Sequence, residues 1–226
     1  PNKPDVCAPG TWIRGVRSII DPNHYYYDLE RVDDPSIEPS GTSFSAPIVT
    51  GIIAQMLQAQ SYRIGRPQAI KAKIINSAVP TKVSFTDNAI SGNNYFREKS
   101  GAGMANSINA VNSYTYKYAW NHQAVQPEHI TQLTVSLTTN QKIKATLVFT
   151  NKNTGVTIVN SNDYYDIDLR IVDSNGNVLS SATSGINNVE IVEYTANSNC
   201  TVYIQTRIYR NLSNAKTDWA LEIDRY

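Results

Sequence analysis

The sequence predicts an α/β unit followed by an all-β antiparallel sandwich or jelly roll. Up to about residue 112, short apolar runs alternate with stretches of helical periodicity. Beyond about residue 126 the apolar residues recur at every second position, in short runs separated by turn residues and without a long helix. The length of 226 residues, 41% of them apolar, suits one large domain or two modest ones with a core each.

Val6-Cys7-Ala8 is short and apolar and stops at the turn pair Pro9-Gly10. The polar, Tyr- and Pro-rich stretch from Thr11 to Ser40 reads as a long surface excursion. Residues 43 to 60 are helical in pattern. Ile48, Ile52 and Met56 form one row and Val49, Ile53 and Leu57 the next, which predicts a wide buried face and a helix inside the domain. Pro47 is expected in its first turn, where a missing N–H matters little. A second helix is predicted from Pro67 to about Ala78, and a short third from about Met104 to Val111. The polar and aromatic stretch 113 to 126 reads as a linker. The domains are expected at 1–118 and 119–226. In the second, alternation marks strands around Ile130–Leu137, Ile143–Phe149, Ile167–Ile171, Val189–Val192, Val202–Ile204 and Trp219–Ile223.

A net charge of +1 gives no electrostatic reason to expect nucleic acid or an anionic membrane as partner. No apolar run approaches the roughly 20 residues that span a bilayer. Cys7 and Cys200 cannot make a disulfide framework and are expected as unpaired thiols in different domains. Pro1-Asn2-Lys3-Pro4-Asp5 has no signal-peptide character, so the chain reads as cut from something longer, with any export signal upstream.

Chemistry concentrates where the first helix begins. A helix N-terminus offers unpaired N–H groups and partial positive charge. Such an N–H, aimed at the oxyanion of a tetrahedral intermediate, stabilises it. Gly41 is expected to let the backbone turn sharply and to leave room for substrate. Ser43 is then presented at the edge of a cleft. A serine before a helix is ordinarily only an N-cap, so longer motifs must decide.

Gly41-Thr42-Ser43-Phe44-Ser45-Ala46-Pro47-Ile48-Val49-Thr50-Gly51 resembles the nucleophile signature of the subtilisin-like serine peptidases, G-T-S-x-[SA]-x-P-x-V-x-G. Lys3-Pro4-Asp5-Val6-Cys7-Ala8-Pro9-Gly10 resembles that family's K-P-D-[VI]-x-A-P-G segment. Ser100-Gly101-Ala102-Gly103-Met104-Ala105-Asn106-Ser107 resembles the segment that closes its peptidase domain. The resemblance covers residues 1 to 112 and implies the C-terminal part of a three-layer subtilisin-like α/β domain. It implies Ser43 as the nucleophile of an endopeptidase, with Thr42 and Gly41 supporting it and a protein or peptide as substrate. An α/β-hydrolase elbow, G-x-S-x-G, does not fit, because Ser45 stands two after Ser43.

The family's His and Asp precede the nucleophile, and its His sits in an H-G-T-like motif far upstream. Only 42 residues precede Ser43 here, and they hold one histidine, His24, in a turn-like context without that motif. His122 and His129 follow the nucleophile. Asp5 is expected in a structural role, and Asp33 and Asp34 as solvated. The resemblance therefore implies that the missing N-terminal part of the peptidase domain is a partner and that this chain alone is inactive. The alternative is a non-catalytic binding or structural protein that keeps the scaffold. Secretion, from a bacterium, is the implied location.

In the second domain, Asp166-Ile167-Asp168-Leu169-Arg170-Ile171-Val172-Asp173, Asn187-Asn188-Val189-Glu190 and Trp219-Ala220-Leu221-Glu222-Ile223 resemble a β-sandwich that follows the peptidase in some bacterial subtilases. It is expected either to pack on the peptidase domain and stabilise it or to recognise carbohydrate or protein, with Tyr164, Tyr165, Tyr203 and Tyr209 available. No cofactor is required for the implied catalysis. Asp163, Asp166, Asp168 and Asp173 could hold a structural calcium. Relief of the Asp166–Asp168 repulsion by Arg170 or Asn188 is the other reading. Asp173-Ser174-Asn175-Gly176-Asn177 lacks the bidentate Glu of a calcium loop, and a hairpin turn explains it better.

Overall fold

The computed structural model describes residues 3–13, 15–16, 36–37, 40–82, 87–90, 93–112, 115–122, 128–150, 165–185, 187–210 and 217–226. Strands β1 (Gly15–Val16) and β2 (Ser36–Ile37) pair within the expected excursion. Helix α1 spans Thr42–Ala59, and a 3-10 turn, Ser61–Arg63, leads to α2, Pro67–Ser77. A small hairpin of β3 (Ala89–Ile90) and β4 (Asn93–Arg97) precedes α3, Ser107–Val111.

Helix α1 forms where its periodicity predicts, but it is less enclosed than expected. Ile52 and Met56 are buried, whereas Ile48, Val49, Ile53 and Leu57 are only half-buried. Among the described residues, α2, α3 and Val6 cover one side of the helix and leave Ala46, Pro47, Thr50, Gly51 and Ala54 exposed. Pro47 is also deeper than expected. The helix begins at Thr42, so Pro47 lies inside it and cannot donate to the Ser43 carbonyl one turn back.

The second half forms β5 (Thr115–His122), β6 (Glu128–Leu137), β7 (Lys142–Phe149), β8 (Asp166–Val172), β9 (Val178–Ala182), β10 (Val189–Thr195), β11 (Cys200–Arg210) and β12 (Thr217–Arg225). They build two four-stranded sheets, ordered β10-β7-β12-β5 and β6-β11-β8-β9, in which every pairing is antiparallel. Alternate residues of both sheets share one core, including Ile143, Leu147, Ile167, Leu169, Val202, Ile204 and Leu221. This arrangement is compatible with a partial α/β unit followed by a β-sandwich.

Two strands of the second half were not expected. The stretch 113 to 126, read as a linker, contains β5, and the boundary expected at 118/119 falls inside that strand. Tyr116, Tyr118 and Trp120 alternate there, and aromatic residues favour strands. Val178–Ala182, mostly small or polar, becomes the edge strand β9 by pairing with β8.

The first sheet is buried on both faces. Residues 143, 145, 147 and 149 of β7 face the other sheet, and the intervening residues face α2. There, Ala69, Ala72 and Ile75 of α2 pack with Ala78, Ala102, Val148, Val189, Ile191 and Ala220 into a second core that joins the two units. Polar residues of that face are buried with it. Arg63 donates to Glu222 Oε2 at 2.7 Å, and both side chains are inaccessible to solvent. Lys73 lies 3.4 Å from Glu222 and 3.0 Å from Asp224, which also accepts from Asn76 at 2.8 Å. Thr146 donates to Asn76 Oδ1 at 2.7 Å.

Candidate active site

The three motifs of the first unit meet in space. The Cys7 N–H donates to the Gly103 carbonyl and the Cys7 carbonyl accepts from the Ala105 N–H, both at 2.9 Å, so residues 5–8 lie parallel to 102–105. Met104 exchanges two hydrogen bonds with Val79, at 2.9 and 2.8 Å. The backbones come so close that side chains are excluded. A Cβ on Gly101 would lie 2.3 Å from the Pro4 carbonyl oxygen, and one on Gly103 would lie 2.1 Å from that of Val79. Both glycines also have positive φ, 61° and 121°.

The start of α1 is pinned to this frame. The Gly41 N–H donates to the Gly10 carbonyl at 2.7 Å, and Ser45 Oγ donates to the Ala8 carbonyl at 3.0 Å. Just upstream, Ser40 Oγ accepts from the Trp12 N–H at 3.0 Å. Gly41 takes the N-cap position without a side chain, and no side chain caps the helix. The chain bends at Gly41 as expected, but its backbone is extended, φ 166° and ψ 154°, which any residue can adopt, so the bend itself does not require glycine. Space is the better reason for glycine: a Cβ here would lie 3.3 Å from Ser43 Oγ.

Ser43 is exposed, one residue into the helix, and its hydroxyl makes no hydrogen bond among the described residues. It is therefore not the N-cap. Its amide belongs to the first turn, whose N–H groups have no partner inside the helix. Thr42 beside it is exposed too. Asp5 is structural: its carboxylate pairs with Lys3 and with Lys71 of α2 at 3.0 Å.

No described side chain is placed to take a proton from Ser43. His24, Asp33 and Asp34 lie outside the described residues. His122 and His129 fall in β5 and β6 of the second unit. Cys7 and Cys200 are free thiols, each half-buried, and burial raises the pKa of Cys7.

Of the four aspartates considered for calcium, three lie among the described residues. Asp163 and Tyr164 lie outside the described residues. Asp166 is buried and Asp168 is half-buried. Desolvation raises the pKa of Asp168, and the cations Arg170 and Arg207 oppose the rise. Asn188, the other candidate for relieving repulsion there, donates to the Phe149 carbonyl at 3.2 Å. The Asp173 carboxylate accepts from the Asn175 and Asn177 amides and from the Asn177 side chain, each at 2.8 Å, which closes the β8–β9 hairpin. Among the described residues no group of three His, Cys, Asp or Glu is arranged to hold a metal ion. Tyr165 is buried in the core between the sheets, Tyr203 is half-buried and Tyr209 is exposed. No described helix is long and apolar enough to cross a membrane.

Sequence reasoning missed the charged set that joins the two units: Arg63, Lys73, Glu222 and Asp224. Its one signal was charge at alternate positions of β12, which reads as a solvated face until a helix is seen to cover it.

The subtilase family model matches residues 1–162, past the end of β7. The chain is 34% identical over 113 residues to Subtilisin-like protease SBT3.2 of Arabidopsis thaliana, a plant relative. The match covers 49% of this chain and 14% of that protein. With most of the chain matched, and with its three motifs assembled around the first turn of α1, the chain belongs to the subtilase family.

Proposed function

We propose that Ser43 is the nucleophile of a serine endopeptidase whose histidine and aspartate lie outside this chain. The observation that carries this reading is the Ser43 hydroxyl, exposed and without a hydrogen bond among the described residues, in the first turn of α1 of a chain of this family. Ser43 Oγ attacks the scissile carbonyl of a protein or peptide while the histidine takes its proton. The oxyanion is met in part by the Ser43 amide, and the acyl-enzyme is then hydrolysed. Gly41 keeps the approach to Oγ clear, and Thr42 supports the turn. This acyl transfer uses no metal or cofactor.

A serine hydroxyl without a base is a weak nucleophile, so the chain alone is inactive and its natural partner is the rest of the peptidase domain. Incubation with unfolded casein and a serine-directed phosphonate tests this: neither cleavage nor labelling is expected. Labelling of Ser43 would mean that a base resides within these 226 residues. The alternative, a non-catalytic scaffold, would be favoured by a longer chain whose H-G-T-like motif lacks its histidine. The second unit is a sandwich that stabilises the peptidase domain, a role supported by its second core against α2. The whole protein acts outside the cell.

A further inference from the structure

A cavity of about 200 Å³ lies at the junction of the two units, lined by Thr81, Arg97, Gly101, Ala102, Lys144 and Glu193. Lys144 is 3% exposed, and among the described residues the one hydrogen bond from its ammonium is a long 3.4 Å contact to the Ile75 carbonyl. Its cross-strand neighbours are carboxylates, Glu193 of β10 and Asp224 of β12. Both are engaged elsewhere, Glu193 by Lys142 and Asp224 by Lys73 and Asn76. Arg97 donates Nη1 to the Asp87 backbone carbonyl at 2.8 Å, while the Asp87 carboxylate accepts from the Lys99 amide and the Ser100 hydroxyl. Among the described residues neither cation forms an ion pair.

A buried ammonium short of acceptors is unfavourable, and a second uncompensated cation on the same small cavity adds to that. We propose that the cavity binds a small oxyanion between the Lys144 ammonium and the Arg97 guanidinium. Its volume admits a sulfate or a short carboxylate. The guanidinium fork suits either, and the ammonium adds a point charge. Glu193 opposes an anion, and Lys142 restrains that opposition. Burial lowers the Lys144 pKa to about 8 against the pull of Glu193 and Asp224, with Lys142 and Lys73 adding to the fall. Lys144 therefore holds its charge below that pH and loses it above, while the Arg97 guanidinium stays charged. This inference is independent of the peptidase reading.

The test is calorimetric titration of the chain with sodium sulfate, and separately sodium acetate, at ionic strength fixed with chloride, backed by thermal unfolding. Saturable binding of at least one of the two is expected at pH 7. It should weaken at least tenfold in Lys144→Met, in Arg97→Gln and in the wild type at pH 9.5, and strengthen in Glu193→Gln. Whichever anion binds more tightly separates a tetrahedral from a carboxylate ligand. Arg97→Gln, at a half-buried position, decides the matter if Lys144→Met does not fold. An unsaturable response, equal in all variants, is a general salt effect and would overturn the proposal, as would affinity unchanged at pH 9.5.

Discussion

Arg63 and Glu222 stand 159 residues apart in the sequence, yet their side chains meet at 2.7 Å with no solvent access to either. Arg63 also donates Nε to Gln60 Oε1 and Nη1 to the Ala69 carbonyl, and Gln60 donates to the carbonyls of Ala110 and Val111. One guanidinium thus links the end of α1, the start of α2, α3 and the central strand β12. Burial raises the Glu222 pKa, and Arg63 and Lys73 counter the rise. Removing Arg63 leaves the buried Glu222 to the more distant Lys73, 3.4 Å away, so Arg63→Met should destabilise the chain by about 3 kcal/mol, the lower end for a broken buried pair. Urea unfolding measures this. A change below about 1 kcal/mol would show that the pair contributes little to joining the units.

That pair also shows where the sequence becomes silent. The alternation of Trp219, Leu221 and Ile223 placed β12 correctly, and the same period-two rule placed β6, β7, β8, β10 and β11. Alternation says which residues share a face, and nothing about what covers it. Glu222, Asp224, Lys144 and Thr146 are polar at alternate positions, as on a solvated face, yet α2 lies over them. The start of α1 was legible from its apolar rows and the motif around Ser43, which are local, although Pro47 lies deeper in the helix than expected. The close spacing at Gly41 was not legible, since a Cβ 3.3 Å from Ser43 Oγ depends on where that hydroxyl points.

Glu190 faces inward between the sheets, is fully buried, and among the described residues neither carboxylate oxygen has a good hydrogen bond. Desolvation, with smaller contributions from Asp166 and Asp168, raises its pKa to about 9 against a backbone contact from Ser184 that lowers it. The folded chain therefore keeps this proton up to about pH 9, whereas the unfolded chain releases it near the ordinary value of 4.5. Stability from this group is complete below the unfolded pKa and is lost as pH rises through the window to the folded pKa. Glu190→Gln should remove that loss, stabilising the chain by on the order of 2–3 kcal/mol at pH 7 and little at pH 4.5. Thermal unfolding from pH 4.5 to 9 tests it. Lys144 titrates in both proteins, so the difference isolates Glu190. Parallel curves would refute the assignment.

Two glycines should respond in opposite senses to alanine. Gly51 lies in the exposed middle of α1, and a Cβ there meets nothing within 4 Å. Gly51→Ala should stabilise by about 0.5–1 kcal/mol through helix propensity and unfolded-state entropy. Gly103→Ala combines a φ of 121° with a Cβ 2.1 Å from the Val79 oxygen. It should destabilise on the order of 3 kcal/mol. Denaturant midpoints of the two variants check both signs.

Ser43 and Ser45 differ by two positions and should separate structure from chemistry. Ser45 Oγ donates to the Ala8 carbonyl at 3.0 Å, tying the helix to the Lys3–Gly10 segment. Ser45→Ala should cost about 0.5–1.5 kcal/mol, the ordinary worth of one partly buried hydrogen bond. Ser43 is exposed with no hydrogen bond among the described residues, so Ser43→Ala should change stability by less than about 0.5 kcal/mol. A serine kept for structure would show the reverse order, because its hydroxyl would be holding a neighbour. Equilibrium unfolding of both variants decides between these patterns without any need for catalysis. A loss above about 1 kcal/mol in Ser43→Ala would assign the hydroxyl a structural partner and remove the basis for reading it as a nucleophile.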